Sequence, residues 1–534
     1  MFIRKWFILA AALLLAASPS AADVDGPASV RGQGADPLSS REVRVSLDSV
    51  LRAGVRRNAS LMSDYLQSRI AEESVKGERS IYEPMLQSSL TSQTTRIQNS
   101  AEETLYRADD DYNEFSNLLD LGLSGVLPSG AQWSIKWTNT QRNSSIIDRF
   151  RDYRSEYSSS LKLSVGQPLL KGAGRRVTET KIALAAIQKD IDYGKFEQRL
   201  MELLGITIQV YWKLYGAQQV YGSWLNSIKI AEQSLGDIEQ RVLAGKMPET
   251  ELLEAQNGIH QRRTELYAAR SKVVEAQSQL FSLLNFAEPR GPTFQLLAAD
   301  DPRGRPSSFA DVRHYVRSAL EKWPEYQNVK RQVEKERTQV EYASNQALPQ
   351  LDLVGTVGPS SLDRDYEGSY RYLADDKYLS WSVGLKFSMP FLEGGQARSA
   401  LAMAKLRLRQ AEEERDGLEK SLINSIYSKI DAARSLQEQL RELEKGLEIR
   451  ARLLAIEQDR LKAGRVGQKA LLAQEEEYVN FQRKLLNCLV SFKTAEAALE
   501  IASGDILGKY GIDAARYAAR HPDTRSGEGA LPWE

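Results

Sequence analysis

The part of this sequence that most resembles a reactive site is a glycine-rich run with several cations. Lys171-Gly172-Ala173-Gly174-Arg175-Arg176 has residue types that can cradle phosphate, but it lacks the spacing and the final Lys-Ser/Thr of a P-loop. The acidic run Glu412-Glu413-Glu414 has no accompanying motif, and a charge run of this kind usually marks a solvated helix face. We therefore expect no catalytic residues and no cofactor-binding residues.

Metal and thiol chemistry also have little material to work with. The 534 residues include one cysteine and three histidines, too few for a metal site or a disulfide framework. Cys488 lies in an apolar-periodic helix, so we expect it to be a buried small hydrophobe. His260 follows a seam position and suits a surface or interhelix role. Balanced charge, 71 basic against 71 acidic residues, argues against nucleic-acid binding.

The first 22 residues predict a cleaved secretory signal peptide. Arg4 and Lys5 precede an apolar stretch from Trp6 to Ala17, and Ser20-Ala21-Ala22 offers small residues for cleavage. A transmembrane anchor is the alternative, but the stretch is shorter than the ~20 apolar residues that a span needs. No later run approaches that length. We therefore expect an exported protein that would cross a membrane only with strands.

The elements around these residues are predicted by a seven-residue apolar repeat that occurs twice. Leu471 lies 219 positions after Leu252, and each begins a series of five apolar residues. A heptad period predicts helices that pack along a coiled-coil seam, with a turn at Ala244-Gly245-Lys246 in one half and at Ala463-Gly464-Arg465 in the other. The seam residues are Leu252, Ile259, Leu266, Val273 and Leu280, then Leu471, Tyr478, Leu485, Phe492 and Leu499.

The helices that enter these turns are predicted to be very long. They run from about Arg176 to Ala244 and from about Ala397 to Ala463, close to 68 residues each, or roughly 100 Å at the α-helical rise. Apolar residues also occur one position beyond the seam. A second stripe would let one helix pack against two neighbours, as helices in a closed tube must. These additional residues are Leu253, Val274 and Leu284.

Before each long helix the apolar period changes from helical to two, which predicts strands with one wet face. Half-buried soluble strands and membrane barrel strands both fit this alternation. The first half carries an additional hairpin at about 117–141, with its turn at Pro128-Ser129-Gly130. The predicted strands are 86–96, 117–127, 131–141, 157–167, 350–358 and 379–389.

Each strand region ends in a matched signal. Proline has no backbone donor and ends a ladder, and a nearby glycine permits a sharp turn into the next helix. The predicted strand-to-helix transition residues are Pro168, Gly172, Pro390 and Gly394. The predicted organisation is a signal peptide 1–22, a flexible leader 23–42, a first repeat 43–286, a linker 287–308, a second repeat 309–512 and a polar C-terminal tail 513–534.

This order of elements resembles the TolC family of outer-membrane efflux proteins. The similarity covers roughly residues 43 to 512 and includes Arg241-Val242-Leu243-Ala244-Gly245, Arg460-Leu461-Lys462-Ala463-Gly464 and Gln167-Pro168-Leu169-Leu170. It implies a mostly α-helical homotrimer with a transmembrane β-barrel that continues inward as an α-helical barrel. It also implies a passive duct from the periplasm to the exterior, located in the outer membrane. A periplasmic adaptor and an inner-membrane pump would be its partners.

The sequence departs from that family in two places. Members with the simpler plan have two strands in each half and twelve in the trimer, whereas the additional hairpin here could join the wall, giving eighteen, or fold outward as a flap. Well-known members carry an acidic ring past the second turn, where this chain has Ala470 and Ala473. We expect the ring instead at Glu251 and Glu254, or at Glu475 and Glu476.

The family resemblance also predicts the adaptor contacts, and other classes of protein remain as alternatives. The candidate contacts are the exposed tip residues Gly245, Lys246, Gly464 and Arg465. A periplasmic coiled-coil scaffold with soluble strands is the first alternative. An ordinary porin is the second, and the dominance of helical pattern disfavours it. The cargo is not readable from the chain, because selectivity in such systems usually resides in the pump.

Overall fold

The structure is a computed structural model that describes residues 41–514 except 108–109, 287–293, 303–308, 375–377 and 391–394. The predicted signal peptide, most of the leader, Gly394 and the tail beyond residue 514 lie outside the described residues. So do parts of the predicted linker. Within the described ranges, no helix is long and apolar enough to cross a membrane.

The first half of the chain forms a short strand, two helices, four strands of a sheet and a long helical hairpin. In chain order its elements are β1 (Arg41–Val45), α1 (Leu47–Arg57), α2 (Ala59–Arg79), β2 (Met85–Gln98), α3 (Ala101–Arg107), β3 (Asp111–Val126), β4 (Gln132–Ser144), α4 (Ser145–Phe150), β5 (Glu156–Pro168), α5 (Arg175–Thr178), α6 (Thr180–Leu243) and α7 (Glu249–Leu283).

The second half repeats this order with two sheet strands instead of four. Its elements are β6 (Phe294–Ala298), α8 (Val312–Lys322), α9 (Pro324–Gln346), β7 (Gln350–Asp363), α10 (Tyr366–Arg371), β8 (Leu379–Ser388), α11 (Gly395–Lys462), α12 (Gln468–Ala502) and α13 (Ile506–Lys509). All six predicted strands overlap observed ones. The two predicted long helices correspond to α6 and α11, so the mostly helical fold with a sheet portion is confirmed.

The six long strands form one antiparallel sheet in the order β2-β3-β4-β5-β7-β8. The additional hairpin, β3 and β4, occupies the second and third positions of this sheet. It therefore does not fold away from the other strands as a separate flap. Two strands, β2 and β8, are left at the sheet edges with one side unpaired in the single chain.

The register separates the sheet into an apolar face and a polar face. Ile135 on β4 stands beside Leu163 on β5, which in turn stands beside Val357 on β7. On the opposite face, the ammonium of Lys136 lies 3.0 Å from a carboxylate oxygen of Asp120. One face is thus suited to an apolar environment and the other to water.

A small parallel sheet joins the beginning of the first half to the interval between the halves. Strand β1 pairs with β6 from Arg41↔Phe294 to Val45↔Ala298. These two strands carry no local signal, because five residues are too few to display a period and the interval 287–308 is predicted only as a linker. Tyr211 on α6 anchors this sheet, since its hydroxyl donates to the carboxylate of Asp300 (2.6 Å) and lies 3.1 Å from the carbonyl oxygen of Val45.

The largest hydrophobic core surrounds the middle of α6. Phe196, Leu200 and Leu204 follow one another at intervals of four residues and are fully buried. Because residues four apart share a helix face, this series forms one apolar stripe that α1, α2 and β6 cover. A second core around Ile426 and Ile430 packs α8 and α9 against α11. These two cores hold the long helices α6 and α11 at the level of the shorter helices, and the hairpin tips lie beyond them.

Candidate functional site

The two hairpin tips have the same backbone structure. At the first tip the amide of Gly245 donates to the carbonyl of Val242 and the amide of Lys246 donates to that of Arg241, both at 2.9 Å. The second tip repeats these two bonds. This is a Schellman motif, which needs a residue with positive φ at its centre. Gly245 and Gly464, with φ of 67° and 68°, meet that need.

The tip residues predicted as adaptor contacts are all exposed. Gly245 and Gly464 are required by the turn itself, and they present backbone to solvent. Lys246 and Arg465 follow them directly and carry exposed cationic side chains. The tips therefore present two positive groups for each chain at the end of the long hairpins.

Glu251 lies where the two hairpin tips approach each other. An added Cβ on Gly467 would lie 3.4 Å from a carboxylate oxygen of Glu251, although the two residues belong to different hairpins. Gly467 is the N-cap of α12 and supplies no side-chain cap of its own. The partial positive charge of a helix N-terminus favours a carboxylate at this place. Glu251 thus lies between the two hairpin tips, beside the N-terminus of α12.

The other three predicted ring carboxylates differ in exposure. Glu254 and Glu476 are exposed, so their charges are available to solvent. Glu475 is buried, with 9% of its side chain accessible, and its carboxylate accepts a hydrogen bond from Arg262. The structure therefore brings Glu475 to an interhelix ion pair, and it separates the four candidates into one buried and three accessible groups.

The Arg262–Glu475 pair joins three helices from both hairpins. Besides its bond to Glu475 on α12, the guanidinium donates through Nε to the hydroxyl of Ser227 on α6 (2.9 Å) and through a terminal nitrogen to the carbonyl of Gly258 (3.1 Å). Burial raises the pKa of Glu475, while the charge and hydrogen bond of Arg262 act in the opposite direction. Loss of either partner would leave the other charged group buried without its counterion.

Sequence reasoning did not find Arg262, although a signal for it was present. The position that matches Arg262 in the second half is Phe481, and the position that matches Glu475 in the first half is Gln256. Both members of the pair thus break the similarity between the halves. Two opposite charges at such breaks, each beside an apolar seam, would have been a reason to expect a pair between the hairpins.

The predicted strand-to-helix transition is an ordered turn in the first half. Strand β5 ends at Pro168, as expected for a residue with no backbone donor. Gly172 has φ of 82°, and its amide donates to the side chain of Asn345 at 2.7 Å. In the second half β8 ends two residues before Pro390, and Gly394 lies outside the described residues.

The long helices pack side by side and leave two apolar stripes exposed. Helix α6 packs against α7 and α12, and α12 packs against α11, so that α7 and α11 are the outer members of the row. Of the residues predicted to form a second stripe, Leu284 is buried in the core, whereas Leu253 and Val274 are exposed. Exposed apolar residues towards the tips of the outer helices include Leu253, Tyr267 and Val274 on α7, and Ile449, Leu453 and Ile456 on α11.

Two sequence comparisons relate this chain to proteins of efflux and secretion. Residues 315–505, most of the second half, match the family described as outer membrane efflux protein. The alkaline protease secretion protein AprF of Pseudomonas aeruginosa is 25% identical over 399 residues, which make up 72% of this chain and 78% of AprF.

Solved outer-membrane channels have the same fold at low sequence identity. The outer-membrane channel OprN has a TM-score of 0.63 at 16% identity, with 90% of this chain and 99% of OprN covered. The CmeC outer membrane channel of Campylobacter jejuni has a TM-score of 0.60 at 14% identity, with 86% of this chain and 85% of CmeC covered. These matches extend over both halves of the chain.

The two long hairpins and the sheet of this chain have the architecture of these solved outer-membrane channels. Residues 315–505 match the outer membrane efflux protein family, and together with the similarity to AprF and to solved channels this match makes the protein an efflux or secretion channel of the outer membrane. Its relatives in the family and among solved structures are channels, not enzymes.

The Arg262–Glu475 pair yields a prediction about stability. Arg262→Met should destabilise the hairpins by about 3–5 kcal/mol, because it leaves a buried carboxylate unpaired. The double variant Arg262→Met/Glu475→Leu should recover most of this loss, since no charge remains buried. The measurement is the loss of helical circular dichroism on heating purified protein in detergent.

A matched control is available at the next residue. Arg263 pairs with Glu232 at 2.8 Å, but about half of each side chain is exposed, 49% and 48%. Arg263→Met should therefore change the free energy of unfolding by only about 0–1 kcal/mol. Equal losses for Arg262→Met and Arg263→Met, or no recovery in the double variant, would contradict the role given to the buried pair.

Proposed function

We propose that three copies of this chain form one continuous tube that serves as the passive exit duct of a tripartite export system. In this proposal the signal peptide directs export and is removed, the sheet lies in the outer membrane, and the hairpins extend into the periplasm. An inner-membrane pump supplies the energy and selects the cargo. A periplasmic adaptor connects the pump to the hairpin tips.

The observation that carries this proposal is the pair of matched open edges. In the helical layer the outer helices α7 and α11 each expose an apolar stripe, and in the sheet layer β2 and β8 each have an unpaired side. Exposed contiguous apolar stripes of this kind mark association surfaces. If α11 of one copy covers α7 of the next, β8 of the first copy also comes beside β2 of the next. Contacts between two different surfaces, repeated around an axis, generate a closed ring.

The two faces of the sheet suit a barrel in a membrane. Closing the sheet with the apolar face outward would place Ile135, Leu163 and Val357 against lipid. The polar face, with Asp120 and Lys136, would then line a water-filled outlet.

The ring contact can be tested with charges placed on the α11 stripe. Ile449→Glu combined with Ile456→Glu should weaken the assembly, because two carboxylates would enter an apolar contact at a cost of at least about 2 kcal/mol per copy. The trimer should then dissociate at a lower temperature on semi-denaturing gels. Ala455→Glu adds one carboxylate on a different face of the same helix, where Ala455 is exposed, and it should leave the trimer unchanged. Identical behaviour of these variants would argue against this interface.

The mouth carboxylates yield a prediction about ion selectivity. Three-fold symmetry would convert Glu251 and Glu254 into rings that attract cations and repel anions. Glu251→Gln and Glu254→Gln should therefore reduce the cation preference measured from reversal potentials in planar bilayers. Glu442→Gln removes an exposed carboxylate far up α11 and should have little effect. Unchanged selectivity in both mouth variants would eliminate them as the acidic ring.

The tip cations yield a prediction about the adaptor. Charge reversal in Lys246→Glu/Arg465→Glu leaves the turn intact, because the Schellman bonds use only backbone atoms. We expect this variant to lose site-specific crosslinking to the periplasmic adaptor in cells. Lys229→Glu changes an exposed lysine higher on α6 and serves as the control. Crosslinking that survives in the double variant would show that the adaptor docks elsewhere.

A further inference from the structure

The turn of the additional hairpin is bound to the base of the sheet. The carbonyl of Ser129 accepts hydrogen bonds from the amide of Gly174 (2.9 Å) and from the side chain of Gln167 (3.2 Å). Gly130 has φ of 88°, and a Cβ added to it would lie 2.5 Å from the carbonyl oxygen of Gly172. The turn thus packs closely against the segment that leads from β5 into the long helix α6.

The strands of this hairpin are as long as those of the rest of the sheet. Strand β3 has 16 residues and β4 has 13, compared with 14 in β2 and 13 in β5. Pairing between β2 and β3 is continuous from Met85↔Ser124 to Gln98↔Asp111. Pairing between β4 and β5 is continuous from Gln132↔Gly166 to Arg142↔Glu156. The hairpin therefore spans the same height as the other four strands.

The apolar face also continues through the hairpin without a break. On β3, Leu121 is aligned with Trp137 of β4, which is aligned with Leu161 of β5. A hairpin lying outside a membrane wall would have no reason to share the alternation of that wall. On the opposite face the pair between Asp120 and Lys136 belongs entirely to the hairpin.

We propose that the hairpin is part of the wall of the outlet, so that the assembled channel has eighteen strands. This inference rests on the proposed trimeric channel and goes beyond it, because it sets the width and lining of the outlet. Three copies of a six-stranded sheet supply the eighteen strands. Since the strands alternate in direction and their number in each chain is even, β8 of one copy meets β2 of the next in the antiparallel sense.

The circumference of the helical tube supports this strand number. Twelve helices spaced 8–10 Å apart occupy a ring of about 100–120 Å. Eighteen strands spaced ~4.8 Å apart and tilted by about 40° occupy about 110 Å, whereas twelve occupy about 75 Å. The eighteen-stranded wall therefore continues the tube at nearly constant width. Asp120, Lys136 and Lys162 of each chain line it with charge and make it a wide aqueous outlet suited to bulky polar cargo.

Cysteine accessibility tests the position of the hairpin, with strand β5 as an internal reference. Neighbouring residues Ser134 and Ile135 of β4 are aligned with Ser164 and Leu163 of β5. Each is replaced by cysteine in a Cys488→Ser background, since Cys488 is the sole native cysteine. The trimer in native outer-membrane vesicles is then treated with a water-soluble maleimide.

We expect the maleimide to label Ser134→Cys and Ser164→Cys, which face the water of the outlet. We expect no labelling of Ile135→Cys and Leu163→Cys, which face lipid. Labelling of Ile135→Cys while Leu163→Cys stays protected would place the hairpin outside the wall and overturn the inference. Labelling of Leu163→Cys would instead remove β5 from the lipid and overturn the proposed function. Electron microscopy of the trimer gives a second reading, with eighteen strands expected and twelve contradicting the inference.

Discussion

The packing of α6 between α7 and α12 is the contact on which the rest of the structure depends. It brings one helix of the second hairpin against the first, so the two halves of the chain become neighbours in one row. The core around Leu204 and Tyr211 then fixes the row at its middle, where the small β1–β6 sheet is anchored. Because the row has two ends, it also leaves an apolar stripe on α7 and another on α11.

In the proposed trimer the sheet and the helical row close around the same axis, and this links their dimensions. Each helix hairpin is connected to sheet strands through a short transition, such as the turn at Gly172. A large difference in circumference between the two layers would strain these connections. In the proposed eighteen-stranded wall the additional hairpin would reduce that difference at a given strand tilt, because each strand occupies less of the ring than a helix does.

The two halves are similar in architecture but differ where the channel acquires individual properties. The additional hairpin occurs only in the first half, and Arg262 and Glu475 replace residues that would match their counterparts in the other half. A buried charge pair between two positions that do not match in the repeat specifies one arrangement of the two hairpins. Two similar apolar seams alone would not distinguish between arrangements. Because both charges lose their hydration, such a pair adds little to the net free energy of folding. Removing one partner is nevertheless costly, since the other charge stays buried without a counterion.

Heptad and period-two patterns are local, so the amino-acid sequence by itself determined the long hairpins, all six sheet strands and the matched tips. Turn chemistry did the same for Gly245 and Gly464, because a positive φ at a Schellman turn restricts the residue directly. Only the tertiary structure decided the β1–β6 pairing, the place of the additional hairpin in the sheet and the burial of Glu475. Each of these depends on residues far apart in the chain, and no periodicity within one segment specifies which distant segment will lie beside it.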